Sequence, residues 1–359
     1  MKSRFFLYEY LRDYYFDLDE SLIAKYPLEK RDCSNLMILK ENHILIDRFY
    51  NIINYLPKDS ILVFNNTKVS FRRVFLRKSN SDKELEVLFL ENQYNVWKTL
   101  IRKGKKIKNK EILVLENYTF VLEKKEEEFY FLSCWKNGNP YLTKKEESEN
   151  FFNTYGKPPL PPYIKRKPEE KDKENYQTIF AEKSGSVAAP TASLHFTKDL
   201  LQKIQNNFKV VFLNLEIGYG TFAPLKEKNF INNELHSEYY EIPEETSKIL
   251  NMSFLKNPIV AVGTTVLRAL EDNFRKYRFF KSGSFSTKIF IKPPDVIDSV
   301  DYLITNFHLP ASSLFLLVCA FGGVEKVKEA YQIAIEKKFR FFSYGDAMFL
   351  QNKNRKIIN

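Results

Sequence analysis

The chain has 359 residues, of which 44% are hydrophobic, and it carries a formal net charge of +11. That apolar fraction excludes an intrinsically disordered protein, and the length allows two domains with sizeable cores. The positive charge suits a polyanionic partner such as nucleic acid, although a composition rich in Lys, Asn and Ile is also typical of an AT-rich genome.

Three cysteines lie far apart, at Cys33, Cys134 and Cys319, and no CxxC pair occurs. This usage indicates a reducing compartment and argues against a disulfide framework or a cysteine zinc site. Charged residues interrupt Met1–Tyr15, so we do not expect a signal peptide there. The longest apolar run, Leu314–Phe321, is too short to span a bilayer, which takes about 20 residues. We therefore expect a soluble cytoplasmic protein with no membrane partner.

The first half of the chain is rich in predicted strands. A short buried strand at Ile61–Phe64 ends in a polar turn, Asn65–Lys68. Evenly spaced strands without helical periodicity follow and predict a small β-barrel. These predicted barrel strands are Arg73–Leu76, Leu85–Leu90, Ile112–Leu115, Thr119–Leu122 and Phe129–Leu132. The proline-rich connection Gly156–Tyr163 is stiff and predicts a domain boundary.

Strands alternate with helices in the second half of the chain. Such strand–turn–helix units predict a largely parallel sheet with helices on its faces, where ligands bind beyond the carboxyl ends of the strands. The predicted strands are Val210–Ile217, Ile259–Val262, Ile289–Ile291 and Tyr302–Ile304. The predicted helices run through Leu267–Phe274, Ser313–Phe321 and Val324–Lys338.

The stretch from Ser184 to Thr197 is unusually rich in small residues. Small side chains and Gly185 let backbone amides approach a ligand closely. Polar residues at alternate positions predict an extended segment with one polar face. These alternate residues are Thr191, Ser193, His195 and Thr197. A loop buried by its alanines would produce the same composition.

Three histidines in predicted turns are candidate catalytic groups: His195, His236 and His308. Glu216, next to a glycine turn, and Glu238 are candidate bases. No HExxH, GxGxxG, Walker A or GxSxG motif occurs, so we expect no metal, dinucleotide or ATP site.

Two basic segments are candidate phosphate contacts or simply solvated loops. The first lies within Arg102–Lys110, on a turn between barrel strands, and the second is Lys165–Lys167. Their candidate tRNA-binding residues are Arg102, Lys103, Lys105, Lys106, Lys165, Arg166 and Lys167.

Six motifs occur in order along the chain and together carry a family resemblance. They are Gly185–Ala192, Leu194–Thr197, Gly218–Phe222, Ala261–Thr265, Thr305–Pro310 and Phe341–Met348. With them the chain closely resembles the bacterial S-adenosylmethionine:tRNA ribosyltransferase-isomerases, the QueA family of queuosine biosynthesis. The likeness extends from Leu22 to Met348.

The resemblance implies an α/β domain of residues 1–68 and 152–359, with a mostly parallel sheet and flanking helices, and a small β-barrel domain inserted at 69–151. It also implies the reaction. The ribosyl part of S-adenosylmethionine moves to the aminomethyl group of a 7-deazaguanine at the tRNA wobble position, giving epoxyqueuosine and releasing adenine and methionine. S-adenosylmethionine is then a co-substrate, tRNA is the partner, no cofactor is permanently bound, and we expect a monomer.

We expect the substrates to contact the turns at the strand ends and the small-residue stretch. The candidate substrate-binding residues are Arg31, Asp32, Thr67, Ser186, Ala189, Pro190, Thr191, Gly218, Gly220, Thr221, Gly263, Thr264, Thr265, Arg268, Asn306 and Asp346. The chain departs from the family pattern at Glu216, Tyr219, Ser193 and Pro293–Asp295. These departures leave an inactive or altered tRNA-binding relative as the alternative function. A methyltransferase would use the same co-substrate, but the glycine-rich strand–turn that it needs is not evident.

Overall fold

The computed structural model describes residues 9–40, 43–93 and 95–355. The described chain forms two compact units. The larger contains the described parts of Met1–Lys68, Pro162–Arg166 and Asn175–Asn359, and the smaller contains those of Val69–Pro161 and Lys167–Glu174.

A mixed sheet lies at the centre of the larger unit. Within the described residues it has nine strands, in the spatial order Gly283–Ile289 (β16), Glu234–Ile242 (β14), Lys209–Leu215 (β13), Ile61–Asn65 (β3), Ile259–Val262 (β15), Tyr302–Asn306 (β17), Ala347–Gln351 (β18), Asn35–Lys40 (β1) and His43–Arg48 (β2). Strands β13, β3, β15 and β17 run parallel, and β18 is parallel to β1.

The prediction of a mostly parallel sheet is only partly confirmed. Strand β14 is antiparallel to both of its neighbours, β16 and β13. The pairs β17–β18 and β1–β2 are antiparallel as well. Strands β1 and β2 are separated by two residues, whereas a parallel pair needs a crossover of a dozen or more. Such a short connection fixes the antiparallel direction.

The central strands are buried on both faces. Every residue of β3, β15 and β17 is buried, as expected for strands covered by helices on either side. Alternate side chains of β3 enter different cores: Ile61 and Val63 join one hydrophobic cluster, and Leu62 and Phe64 join another. These two clusters hold the helices against the sheet.

Two helices of the larger unit begin at a side-chain cap. Thr197 accepts a hydrogen bond from Leu200 N at 3.2 Å, and Ser312 accepts one from Phe315 N at 3.2 Å. Gly263 has φ +100°, a conformation that favours glycine, at the start of another helix. The helices of this unit include Lys198–Asn207, Glu227–Asn232, Glu244–Ser253, Thr264–Tyr277, Ser313–Gly322 and Val324–Glu336.

The smaller unit is a closed antiparallel barrel, which confirms the prediction of one. Its strands are Arg73–Lys78 (β5), Ser81–Gln93 (β6), Val96–Ile101 (β7), Ile112–Leu115 (β8), Tyr118–Glu126 (β9) and Phe129–Lys136 (β10). Strand β10 pairs with both β7 and β9 and so closes the ring. Phe151 and Phe152, from the helix Lys145–Tyr155, pack in the barrel core beside Phe89 and Trp97. Other short elements of the described chain include Thr67–Val69 (β4), Asn139–Tyr141 (β11), Lys183–Ser186 (β12) and the helix Asp172–Asn175.

Three local predictions were wrong. Thr191–His195 is a turn of 3-10 helix and not an extended segment, so its polar residues do not share one face. The strand expected at Ile289–Ile291 ends at Ile289. His236 lies on strand β14 and not in a turn.

None of the described helices is both long enough and apolar enough to cross a membrane.

Candidate active site

His195 lies at the centre of a hydrogen-bonded chain that joins distant parts of the sequence. Its Nε2 accepts a hydrogen bond from Asn306 Nδ2 at 3.0 Å, and its Nδ1 lies 2.8 Å from Ser34 Oγ. Since Nε2 is the acceptor, a neutral ring carries its proton on Nδ1 and donates it to Ser34. Asn306 Oδ1 in turn accepts a hydrogen bond from Thr191 Oγ1 at 3.0 Å. The small-residue stretch is thereby connected to the end of β17 and to the residue before β1.

The surroundings of His195 keep its imidazole neutral. The side chain is only 4% exposed, and the Phe49 ring lies 4.9 Å from it, centroid to centroid. Burial, and after it the positive charge of Arg340, lowers the pKa of His195 to about 3. At neutral pH the ring therefore acts through hydrogen bonds and not as a cation.

A small recess opens beside His195, and we call it the His195 cavity. It is lined by Pro27, Leu28, Arg31, Ser34, Asn175, Leu194, His195, Ser343, Tyr344 and Gly345. Arg31 Nη1 donates to the Gln177 carbonyl at 2.9 Å. The neighbouring carboxylates face other groups: Asp32 accepts from Thr197 Oγ1 at 2.8 Å, and Asp346 accepts from the backbone N–H groups of Asn35 and Arg340, each at 2.8 Å.

Polar side chains also meet at the ends of β3 and β13. Asn65 Oδ1 accepts from Leu215 N at 3.0 Å, and its Nδ2 lies 3.4 Å from Thr265 Oγ1. Thr67 Oγ1 lies 2.6 Å from Ser186 Oγ, which accepts from Ile217 N at 2.7 Å. These bonds attach the small-residue stretch to both strands.

The start of the Thr264–Tyr277 helix faces the same stretch. A Cβ placed on Gly263 would lie 3.8 Å from Ala192 Cβ, which shows how closely the two turns pack. Thr264 and Thr265 are each 7% exposed, and Ala189 is 5% exposed. Pro190, directly before the 3-10 turn, is also buried. The backbone N–H groups of the first helical turn lie here, where a helix favours a negative ligand.

Glu238 and Arg268 form a buried ion pair on the β13 side of the sheet. Their side chains are 3% and 5% exposed. Glu238 Oε1 also accepts from Thr221 Oγ1 at 3.0 Å and from Gly218 N at 3.3 Å. Nε and Nη2 of Arg268 are buried and have no hydrogen-bond partner in the described part of the chain. The pair fixes the glycine turn that follows β13.

Two glycines lie directly against the remaining candidate groups of this region. A Cβ on Gly185 would lie 2.6 Å from Glu216 Cδ, and one on Gly220 would lie 2.5 Å from the His236 ring. Glu216 is half-buried and His236 is exposed. Glu216 thus lies against the small-residue stretch, and His236 covers the Gly220 turn.

His308 is held by its own turn. Its Nε2 lies 2.8 Å from Thr305 Oγ1, and its backbone N–H donates to Tyr331 OH at 2.9 Å. Burial lowers its pKa to about 3. Within the described residues, His308 takes no part in the side-chain hydrogen bonds that join His195 to Ser34 and Asn306.

The candidate tRNA-binding residues differ in the ion pairs and hydrogen bonds that they form. Arg102 pairs with Glu86 at 3.2 Å and Lys165 with Glu20 at 2.6 Å. Arg166 donates to the Lys25 carbonyl and stacks over the Tyr26 ring, with 4.0 Å to its centroid. The exposed candidates also include Lys103, Lys105, Lys106 and Lys167. In the described chain, Lys103, Lys105 and Lys106 form no ion pair.

Sequence reasoning missed Ser34, Asn65 and Arg340. Each acts on a residue more than a hundred positions away, and nothing in the local pattern marks that partner. Asn65 alone carried a signal, as the first polar residue after a buried strand. Within the described residues, no group of three or more His, Cys, Asp or Glu could hold a metal ion.

Comparison with known proteins supports the family resemblance. The model of a family described as queuosine biosynthesis protein matches residues 11–350. The chain is 41% identical over 347 residues to the S-adenosylmethionine:tRNA ribosyltransferase-isomerase of Sulfurihydrogenibium sp., covering 95% of this chain and 99% of the relative. It is 40% identical over 358 residues to the enzyme of that name from Rickettsia bellii, covering 96% and 99%.

A solved structure agrees with these relatives. The crystal structure of S-adenosylmethionine tRNA ribosyltransferase from Thermotoga maritima matches with a TM-score of 0.52 at 30% identity, covering 94% of this chain and 99% of that one. The match extends over the sheet and the barrel alike. The chain therefore belongs to the queuosine biosynthesis protein family, the S-adenosylmethionine:tRNA ribosyltransferase-isomerases.

Proposed function

We propose that this protein transfers and isomerises the ribosyl group of S-adenosylmethionine onto 7-aminomethyl-7-deazaguanine at the tRNA wobble position. The products are epoxyqueuosine in tRNA, adenine and methionine. Membership of the family supports this reaction, and the observation that carries it to this chain is the hydrogen-bonded chain from Thr191 through Asn306 and His195 to Ser34. It holds the small-residue stretch in one conformation, so that the substrates meet a preorganised surface.

Glu216 is the proposed base. The sulfonium of S-adenosylmethionine acidifies the neighbouring C5′ hydrogen, and a positioned carboxylate can remove that proton. Glu216 is half-buried against Gly185, at the edge of the small-residue stretch. Neutral His195 would position Thr191 and Asn306, and Glu238 with Arg268 would position the Gly218 turn. His236 and His308 would then act outside the proton-transfer step.

The larger unit would carry the reaction, and the barrel would contribute to tRNA binding. Lys103, Lys105 and Lys106 are exposed and free of ion pairs within the described residues, so their charges are available to phosphates. Each phosphate contact releases counterions and makes binding weaker as salt rises. We further propose that the protein works as a monomer in the cytoplasm, where its substrate tRNA is found.

Product analysis tests the reaction. Purified protein is incubated with S-adenosylmethionine and tRNA carrying the aminomethyl base, and released small molecules are identified by mass spectrometry. We expect adenine and methionine. Release of S-adenosylhomocysteine would instead indicate a methyltransferase, and salt-sensitive tRNA binding without any product would indicate a tRNA-binding relative.

Variants of Glu216 and of the lysines at Lys103, Lys105 and Lys106 test the proposed roles in proton transfer and tRNA binding. Glu216→Gln should reduce adenine release by about 100-fold or more, in line with the loss of a general base, without weakening tRNA binding. Glu244→Gln, an exposed helical residue, is the control. An unchanged rate in Glu216→Gln would remove this residue from the proton-transfer step.

Replacement of Lys103, Lys105 and Lys106 by Gln should lower the salt dependence of tRNA binding by about two to three contacts. The control is a triple replacement of exposed lysines on the larger unit, at Lys203, Lys248 and Lys337. An equal effect of both triple variants would show that the barrel turn binds tRNA only through the overall charge.

A further inference from the structure

We propose that Tyr239 is a substrate-binding residue, and that its ring stacks against the planar base of a substrate beside Glu216. Two substrates of the proposed reaction carry such a base: S-adenosylmethionine has its adenine, and the tRNA has its 7-deazaguanine. This inference rests on the proposed function, because it takes Glu216 as the base of the reaction and these molecules as the substrates.

Strand pairing places Tyr239 directly opposite Glu216. Strands β13 and β14 are antiparallel, with Leu215 opposite Tyr240. Glu216 and Tyr239 are the next two residues in this register, and the Glu216 backbone N–H donates to the Tyr239 carbonyl at 2.9 Å. Residues opposite each other on antiparallel strands have Cβ atoms about 4.5–5.5 Å apart and side chains on the same face. The Tyr239 side chain therefore lies beside the proposed catalytic carboxylate.

The face that these two side chains share points away from a hydrophobic core. Leu215 and Tyr240, their neighbours along the two strands, are fully buried in one core cluster. Because successive side chains of a strand point to opposite faces, Glu216 and Tyr239 point away from that cluster. Glu216 is half-buried there, and Tyr239 is 44% exposed. An aromatic side chain thus lies at the surface next to a carboxylate.

Small residues lie next to the Tyr239–Glu216 pair. On β16, the residue paired with Tyr239 is Ser286. On β12, Gly185 lies against Glu216, because a Cβ on this glycine would come within 2.6 Å of Glu216 Cδ. Serine and glycine are too small to cover an aromatic ring, which agrees with the exposure of Tyr239. A flat ligand can therefore reach the tyrosine ring from this face of the sheet.

An ion pair holds β12 on the same face. Lys183 Nζ lies 2.8 Å from Glu241 Oε2. Glu241 is two residues after Tyr239 on β14, so both side chains project from one face of that strand. Gly185, two residues after Lys183 on β12, lies against Glu216. The small-residue stretch therefore begins next to the Tyr239–Glu216 pair, where the proposed function expects the substrates.

The chemistry of an exposed tyrosine suits a nucleobase. Nucleobases stack on aromatic side chains, because every base offers a flat π-face. A base held on Tyr239 would fix the distance between its substrate and the Glu216 carboxylate, which favours proton transfer. The neighbouring Tyr240 shows how a structural tyrosine differs: it is fully buried, and its hydroxyl donates to Asp272 Oδ2 at 2.7 Å.

Separate binding measurements with the two substrates test the inference without turnover. Calorimetry measures the affinity of the full chain for S-adenosylmethionine and for an anticodon stem-loop that carries the aminomethyl base. Tyr239→Leu removes the ring and should weaken the binding of one substrate by about ten-fold, as is usual when one stacked base is lost. A loss for S-adenosylmethionine alone identifies adenine as the stacked base, and a loss for the stem-loop alone identifies the 7-deazaguanine.

Two further variants show whether the aromatic ring is the group that matters. Tyr239→Phe keeps the ring and should bind both substrates as the wild-type protein does. Phe279→Leu removes another exposed ring of the larger unit and is the matched control, with no change expected. Unchanged binding of both substrates by Tyr239→Leu would overturn the inference. So would equal losses in Tyr239→Leu and Tyr239→Phe, or a loss for both substrates together with a lower melting temperature.

Adenine release separates this inference from the proposed function. If the wild-type protein binds both substrates but releases no adenine, the proposed reaction is wrong, and the binding of Tyr239→Leu still decides the role of the ring. If the wild-type protein releases adenine while Tyr239→Leu binds both substrates equally well, only the inference is wrong. Because Tyr239→Leu removes no charge, the salt dependence of stem-loop binding should stay that of the wild-type protein.

Discussion

His195 and the Glu238–Arg268 pair are both almost fully buried in the larger unit, yet their polar groups are stabilised in opposite ways. His195 is neutral, and Ser34 and Asn306, which hydrogen-bond its ring, are uncharged. Glu238 and Arg268 keep an ion pair in the protein interior, and two guanidinium nitrogens have no described partner.

The difference shows which kind of change each region resists. Protonation of a buried neutral group lowers the stability of the folded protein, because a charge is then buried without a partner. Removal of one member of a buried ion pair lowers it for the same reason. The His195 region should therefore be sensitive to pH, and the Glu238–Arg268 region should be sensitive to substitution. Each of the following measurements tests one side of this contrast.

The largest effect is expected for Arg268→Met. The replacement leaves the Glu238 carboxylate buried without its cation, and breaking a buried pair in this way typically lowers the free energy of unfolding by about 3–5 kcal/mol. Urea denaturation measures the loss. The double variant Glu238→Gln/Arg268→Met should recover much of it, since no charge is then buried; a double variant as unstable as the single one would contradict this explanation.

The next largest effect is the pH dependence due to His195. Its pKa in the folded protein is about 3, against 6.5 for an unperturbed histidine, so the unfolded chain binds the proton first as pH falls. The stability is thus fully present above pH 6.5 and decreases towards pH 3. Between pH 6.5 and pH 5, the free energy of unfolding should decrease by about 2 kcal/mol less in His195→Gln than in the wild-type protein.

Urea denaturation at these two pH values makes the comparison. His43→Gln, in which an exposed histidine at the start of β2 is replaced, is the matched control and should keep the wild-type dependence. His308 remains in both variants and continues to contribute, so a residual acid sensitivity is expected. Identical pH dependence in His195→Gln and the wild-type protein would show that His195 is not buried as a neutral ring.

The smallest effect is expected for Thr191→Val. The variant keeps the shape of the side chain but removes the donor to Asn306 Oδ1, and such a loss costs about 1 kcal/mol. Thr154→Val, on an exposed helical position, should change stability by less than about 0.5 kcal/mol. If the two variants lose the same stability, the Thr191–Asn306 bond contributes nothing to the His195 region.

Local sequence patterns predicted the elements that carry these residues. Runs of apolar residues marked β3, β15 and β17, because strands covered on both faces are apolar at every position. Gly263 marked the start of the following helix. The small-residue stretch stood out by its composition, and the structure places it against the ends of several strands. The roles of the individual site residues stay predictions.

The pairing of the elements was harder to predict. Hydrophobic periodicity shows which face of a strand is buried, but it does not show which strand lies beside it. The position of β18, antiparallel to β17 and parallel to β1, is an example. Likewise, Ser34 and Arg340 gave no local sign that they act on His195, because the chain folds them together from opposite ends of the sequence.

The position of β18 has a consequence for synthesis on the ribosome. Leu36 of β1 pairs with Ala347, so about 300 residues must be added before this strand finds its parallel neighbour. At about 5–20 residues per second, that takes some 15–60 seconds. During this interval the apolar residues of β1, which are buried in the finished protein, have an open edge. The nascent chain therefore spends most of its elongation with a strand edge that chaperones could shield.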